Sequence, residues 1–259
     1  VVGVRAGNDT STSVLGHVGD QINGLYGYLT LDAQGNATYH ANPNQDLPPW
    51  ATDTFVYTIR DADGDESTTT ISVKVLDSQL VAGTDSEVTV YEKALDLSKD
   101  GNDLACGNVV GSDPHANTET ASGSLTDAVT GGVGALTFTL VGNAAGQYGQ
   151  ILLNPDGSYT YTLTSAPNSP NHVNDGPNVI TESFTYQVKD SLGNSTTSTI
   201  VISIVDDVPK AHCDFAHVTE GDSISGNVLA NDVVGADVRG DGQYVVGVRA
   251  GNDTSTSAL

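Results

Sequence analysis

The chain has 259 residues, nine of them Lys or Arg and 32 Asp or Glu, for a net charge of −23. That length corresponds to roughly two ordinary domains, and the supply of Val, Ile, Leu and aromatic residues is enough for real cores rather than an acidic disordered chain. Nine scattered basic residues cannot form a phosphate-binding strip, which excludes nucleic acid as a partner, and no apolar run of about 18 residues is present to cross a bilayer as a helix.

So many carboxylates in a folded protein must sit in water or near cations, and divalent ions are their natural partner. The competing reading is that the acid only keeps the protein soluble. Two cysteines, Cys106 and Cys213, are too few for a disulfide framework. There is no Met and no signal-like leader, so the sequence reads as an excerpt of a longer protein.

Taken in chain order, residues 1–15, VVGVRAGNDTSTSVL, return as residues 245–259 with one change, Val14 against Ala258. Near-identity at that separation implies a duplicated unit, so the chain starts and ends within the same kind of domain. Residues 25–44 match 147–168, with Gln34-Gly35-Asn36 and Asn154-Pro155-Asp156-Gly157 as equivalent turns. Residues 54–77 match 183–207, and 226–237 match 107–114 more loosely. The expected organisation is the closing part of one repeat over 1–78, a complete repeat over 79–207, and the opening part of the next over 208–259.

The periodicity is two. Phe55, Tyr57 and Ile59 alternate with Val56 and Thr58; Ile71, Val73 and Val75 follow; Phe184, Tyr186 and Val188, then Ile200, Ile202 and Ile204, repeat both patterns. Such alternation marks strands with one face inward, and short strands separated by frequent turns predict an all-β protein of tandem Ig-like, cadherin-like β-sandwiches.

Each long hairpin carries an acidic loop and ends in an acidic linker. The first loop places Asp61, Asp63 and Asp65 at alternating positions around Gly64; the second holds Asp190 and Asn194. The linkers are Asp77-Ser78 and Asp206-Asp207. Hard cations take six to eight oxygens, and alternating Asp around a Gly turn offers several from one loop. An ordinary turn is the alternative, since Asp and Gly favour turns in any case. A closing strand of about eight residues, rising ~3.3 Å each, puts each loop at the opposite end of its domain from the exit linker. In a tandem array the Asp190 loop then faces Asp77, and Asp206 and Asp207 face the next copy of the Asp61–Asp65 loop. The regions of Asp103/Asp113 and Asn231-Asp232 are alternative partners for these loops.

The remaining candidates are weaker. The six histidines show no zinc spacing, and no Ser/His/Asp set or acid pair stands out for catalysis, so no enzyme is expected. Trp50, behind two prolines, reads as a packed lid more readily than as a sugar-stacking platform.

Four motifs occur in a fixed order: Gly-x-Tyr-Gly at 24–27 and 146–149, Asp-Gly-Ser-Tyr-Thr-Tyr at 156–161, Phe-x-Tyr-x-Val-x-Asp at 184–190, and Asp-Asp-Val-Pro at 206–209. Together they resemble the VCBS/cadherin-like repeats of giant RTX adhesins exported by type I secretion. The resemblance implies extracellular extender domains with Ca²⁺ at their junctions, held by Asp77, Asp190, Asp206, Asp207 and the Asp61–Asp65 loop, that project a distal binding module in adhesion or biofilm formation. Asn194 and Ser78 depart from the most acidic form of that pattern. The partners expected are calcium, neighbouring repeats and head-to-tail contact through the split terminal half-domains. The alternative is a module that binds carbohydrate or a host surface through loops 112–135 or 165–180.

Overall fold

The computed structural model describes residues 1–167, 176–237, 239, 241–252, 254–255 and 257. Among them are fifteen β-strands, a short 3₁₀ turn at Glu92–Ala94 and no α-helix, so the all-β expectation holds. The chain divides into two compact units. Unit 1 comprises 1–81 with segments 130–136 and 189–196; unit 2 comprises 82–129, 137–188 and 197–259.

In unit 1, β1 (Gly3–Ala6), β2 (Gln21–Asn23), β3 (Gly27–Leu31), β4 (Ala37–Ala41), β5 (Thr52–Arg60) and β6 (Glu66–Lys74) form two antiparallel sheets, in the orders β1-β5-β6 and β2-β3-β4. Their core is Val4, Leu29, Leu31 and Phe55, with Tyr57 and Ile71 packed against it. The predicted inward face of β5 stops short of its end: Ile59 is 50% exposed. Thr58, expected outside, is buried instead. Its hydroxyl accepts the Val14 N–H at 2.8 Å and pairs with Thr68 at 2.9 Å, so the 14–16 segment covers it without leaving a polar atom unmatched.

The strands that follow are β7 (Val81–Ala82), β8 (Thr89–Tyr91), β9 (Thr120–Ser124), β10 (Val129–Thr130), β11 (Thr137–Val141), β12 (Gly149–Leu153), β13 (Ser158–Leu163), β14 (Val179–Lys189) and β15 (Ser195–Val205). One sheet runs β11-β14-β15-β8 and another β12-β13-β9, while β7 and β10 make a two-stranded ribbon. Here the predicted alternation is kept: Phe184, Tyr186 and Val188 on β14, and Ile200, Ile202 and Ile204 on β15, are all buried. Each such apolar side chain contributes about 1.5–3 kcal/mol by leaving water. Both predicted hairpin turns form with Gly at φ +91°, Gly35 after Asp32 and Gly157 after Asn154, a conformation that favours glycine.

The Gly-x-Tyr-Gly motif also acquires a physical cause. In unit 1 the Asp53 carboxylate accepts the N–H groups of Leu25 (2.7 Å) and Tyr26 (3.0 Å) and the hydroxyl of Tyr39 (2.6 Å). In unit 2 the Glu182 carboxylate accepts the N–H groups of Gln147 and Tyr148 and the Tyr161 hydroxyl (2.6 Å). A Cβ on Gly24 or Gly146 would collide with that carboxylate, and one on Gly27 or Gly149 with the tyrosine. The two glycines are the space in which an acid and a tyrosine lock the turn.

Candidate metal centre

The predicted loop acids take two different forms. Asp61, Asp63 and Asp65 bring carboxylate oxygens within 4.8 Å of one another, all exposed. Asp61 Oδ1 already accepts the N–H groups of Gly64 (3.0 Å) and Asp65 (2.8 Å), as an Asp-closed turn does. Asp190 is buried and spends both oxygens on donors: Oδ1 takes the N–H groups of Leu192 and Asn194, Oδ2 the N–H of Val133 and the Asn194 amide. Burial opposes its ionisation, but the Asn194 amide and these backbone donors outweigh it and hold the carboxyl below the usual range. Asp77 is exposed and Oδ1 accepts the Gln79 N–H at 2.8 Å. Asp77 and Asn194 line one hollow of about 330 Å³ with Asn44 and Asp46, and Asn194 Oδ1 accepts the Asn44 N–H at 3.0 Å.

Asp206 and Asp207 are arranged otherwise, and the reason is strand register. β8 runs parallel to β15 with Tyr91 opposite Val205, so the next residues, Glu92 and Asp206, emerge side by side. β8 ends there because the chain turns into the 3₁₀ segment, with Leu95 N–H bonded to Glu92 C=O. Asp207 then fastens the surroundings. Its carboxylate accepts the Ser112 N–H (2.7 Å) and hydroxyl (2.6 Å) and the Ala236 N–H (3.1 Å), while its own N–H donates to Glu92 Oε2 at 3.2 Å. Ala236 brings its neighbour Asp237 with it, and a bridge between Lys210 and Val233 closes the loop that returns the chain to this point.

Glu92, Asp206 and Asp237 therefore place one carboxylate oxygen each within 4.8 Å of the others. Glu92 Oε1, Asp206 Oδ1 and Asp237 Oδ1 are buried and have no hydrogen-bond donor. Among the described residues no Lys or Arg ion pair involves any of the three. Burial first, then the Asp237 and Asp206 charges, push Glu92 up to about 8 against the pull of the Asp207 N–H; burial and the Asp206 charge push Asp237 up to about 6. Withdrawing carboxylates from water costs several kcal/mol each unless something compensates.

The donor set suits a hard cation. Ca²⁺ binds oxygens at about 2.3–2.6 Å, so ligands on opposite sides of it lie roughly 5 Å apart. An all-carboxylate trio disfavours zinc, which prefers Cys and His. Glu92 and Asp237 lay outside the sequence expectation. The readable signal for Glu92 is its place just after an alternating Val88–Val90 strand, matched by Glu220 after Val218 later in the chain. Asp100, Asp103 and Glu119 form a third acidic group.

The chain is 36% identical over 93 residues to the calcium-binding lectin RapA2 of Rhizobium johnstonii, an overlap covering 35% of this chain and 38% of that protein. Among solved structures, mouse cadherin-23 EC22-24 overlaps 80% of this chain and 64% of its own at 15% identity and a TM-score of 0.25. The endo-fucoidan hydrolase MfFcnA9 of glycoside hydrolase family 107 overlaps 77% and 27% at 16% identity and a TM-score of 0.22. Superpositions of that quality do not establish a common domain arrangement. The bacterial Ig domain family (Big_9) matches residues 2–74 and again 75–203. With most of its length covered by two such matches and an all-β fold, this chain belongs to the bacterial Ig domain family.

Proposed function

We propose that this chain is a non-catalytic extender segment of a secreted bacterial surface adhesin, and that calcium held by Glu92, Asp206 and Asp237 stiffens it. The observation that carries the reading is the trio of buried carboxylate oxygens with no donor. Left bare they repel and stay unsolvated; a divalent ion supplies the missing charge. With 79–207 as a complete repeat and 208–259 as the opening of the next, Glu92 and Asp206 come from one repeat and Asp237 from its successor. An ion there ties consecutive repeats together. The likeness to a protein named a calcium-binding lectin supports calcium as the ion.

The duplication fits the same role. Copying a unit lengthens a stalk, and two sandwiches add on the order of 80 Å of reach. Glu220 follows Val218 as Glu92 follows Val90, and Asp77 occupies the linker position of Asp206, so a Glu–Asp pair recurs at each junction of a tandem array. Export by a type I RTX system suits such a chain, since extracellular modules bind calcium at about 10⁻⁴–10⁻³ M and remain unloaded inside the cell. A role in biofilm or host attachment follows from the same placement. Calorimetric calcium titration of the chain and its Asp206→Asn variant tests the reading. It expects one fewer ion in the variant; equal binding by both proteins removes it.

A second reading, sugar binding, is favoured by Trp50. The side chain is not the packed lid its prolines suggest but is 76% exposed, and an exposed indole is a stacking surface. Of the loops considered for this role, 112–135 is described, whereas 168–175 of the 165–180 loop lie outside the described residues. A glycan array that scores positive for the chain and negative for Trp50→Ala supports this reading; a blank array removes it.

A further inference from the structure

The complete repeat carries an acidic group that its successor has no room for. Fifteen positions separate Glu92 from Gly107, but only six separate the equivalent Glu220 from Gly226. The extra residues contain Asp96, Asp100 and Asp103. They fold back against the start of β9, where Asp100, Asp103 and Glu119 each offer a carboxylate oxygen within 4.8 Å of the others.

Two of these acids are not surface charges. Asp103 is 8% and Glu119 4% exposed. Glu119 Oε2 is buried and receives no hydrogen bond. Asp103 is held in place by the Thr120 hydroxyl on Oδ1 and by the Asp100 N–H on Oδ2 at 3.4 Å. Thr120 in turn pairs with Thr162 at 2.8 Å, and Thr162 accepts the Leu104 N–H at 3.0 Å, so the position is set by β9, β13 and the inserted loop together. A cleft of about 190 Å³ opens beside the acids, lined by Asp100, Asn102, Asp103, Asn117 and Thr120. It offers amide oxygens and room for water to complete a coordination shell.

We infer that Asp100, Asp103 and Glu119 form a second calcium site, separate from the Glu92 centre and specific to the repeat that carries the insertion. The ion neutralises two buried carboxylates and pins the inserted loop to β9 and β13. It stabilises the body of one repeat, whereas the Glu92 centre links one repeat to the next.

Calcium titration of the full chain by calorimetry, with Asp206→Asn, Glu119→Gln and Asp100→Asn alongside the parent protein, tests this. Glu119→Gln and Asp100→Asn should each bind one ion fewer than the parent, and combination with Asp206→Asn should remove a further one. Asp100 is exposed, so its variant keeps the test valid should Glu119→Gln fail to fold. Trypsin cleavage after Lys99, which is exposed in the inserted loop, provides a second readout. Calcium at ten times its Kd should slow the cut about tenfold in the parent and leave it unchanged in Glu119→Gln. If Glu119→Gln folds, or Asp100→Asn alone where it does not, and the variant binds as many ions as the parent, the second site is refuted; a proton on Glu119 would then satisfy Oε2. Loss of an ion only in Asp206→Asn gives that result while leaving the extender reading intact; loss only in Glu119→Gln and Asp100→Asn does the reverse.

Discussion

Asp61 and Asp190 occupy the same slot after the same strand in two related repeats, yet they live in opposite environments. Asp61 stands in water beside two further acids and closes a turn with one oxygen. Asp190 is buried, has no acidic neighbour within its loop, and satisfies both oxygens with four donors. A dense run of Asp therefore does not by itself mark carboxylates that the fold has stripped of water and donors. Neither loop has a buried carboxylate oxygen without a donor among the described residues. Those oxygens belong to Glu92, Asp206, Asp237 and Glu119, three of which are isolated in sequence.

Substitution sharpens the contrast. Asp190→Ala should lower stability by about 3 kcal/mol, because four donors to a charged acceptor lose their partner, whereas Asp61→Ala should cost far less; denaturant melts of both variants read the difference. Glu92→Gln should remove the calcium-dependent gain at the main centre, about 2.7 kcal/mol at one hundred times Kd, or roughly 5–10 °C in the transition of the affected unit. The same variant should melt higher than the parent in chelator, since Gln spares the fold a buried carboxyl that must take up a proton to become neutral; a lower melt in chelator would show that the Glu92 carboxyl is not disfavoured in the ion-free fold.

The turn locks offer a smaller comparison. Tyr161→Phe strips a donor from the buried Glu182 carboxylate and should cost about 1–3 kcal/mol. Tyr39→Phe, whose ring is only half-buried where its hydroxyl serves Asp53, should cost less. Equal losses would mean that burial does not set the value of the lock.

The pH dependence is the subtlest effect. Glu92, Asp237 and Glu119 are pushed up to about 8, 6 and 7 in the fold. The ion-free fold thus holds more protons than the unfolded chain between the usual carboxylate range and about pH 8. The contribution of these three groups to stability is greatest below that range and declines as pH rises through it. Calcium binding needs the deprotonated acids, so affinity should rise over the same interval with release of protons. Melts in chelator at about pH 5 and pH 8, paired with titrations at each, should show the two opposite slopes.

Period-two alternation, the turn glycines and the internal repeats are local features, and they were enough to specify an all-β tandem architecture and to mark Asp206 and Asp207 as linker acids. Alternation misplaced Thr58 and Ile59, because coverage of β5 depends on a segment more than forty residues away in sequence. The pairing of Glu92 with Asp206 was invisible for the same reason: it follows from a parallel register between strands at opposite ends of a repeat. The burial of Glu119 likewise depends on a loop insertion packing against β9. Sequence decided which acids exist and which strands carry them. Only tertiary structure decided which of them lost both water and hydrogen-bond donors, because desolvation is a property of everything that packs around an atom, not of its neighbours along the chain.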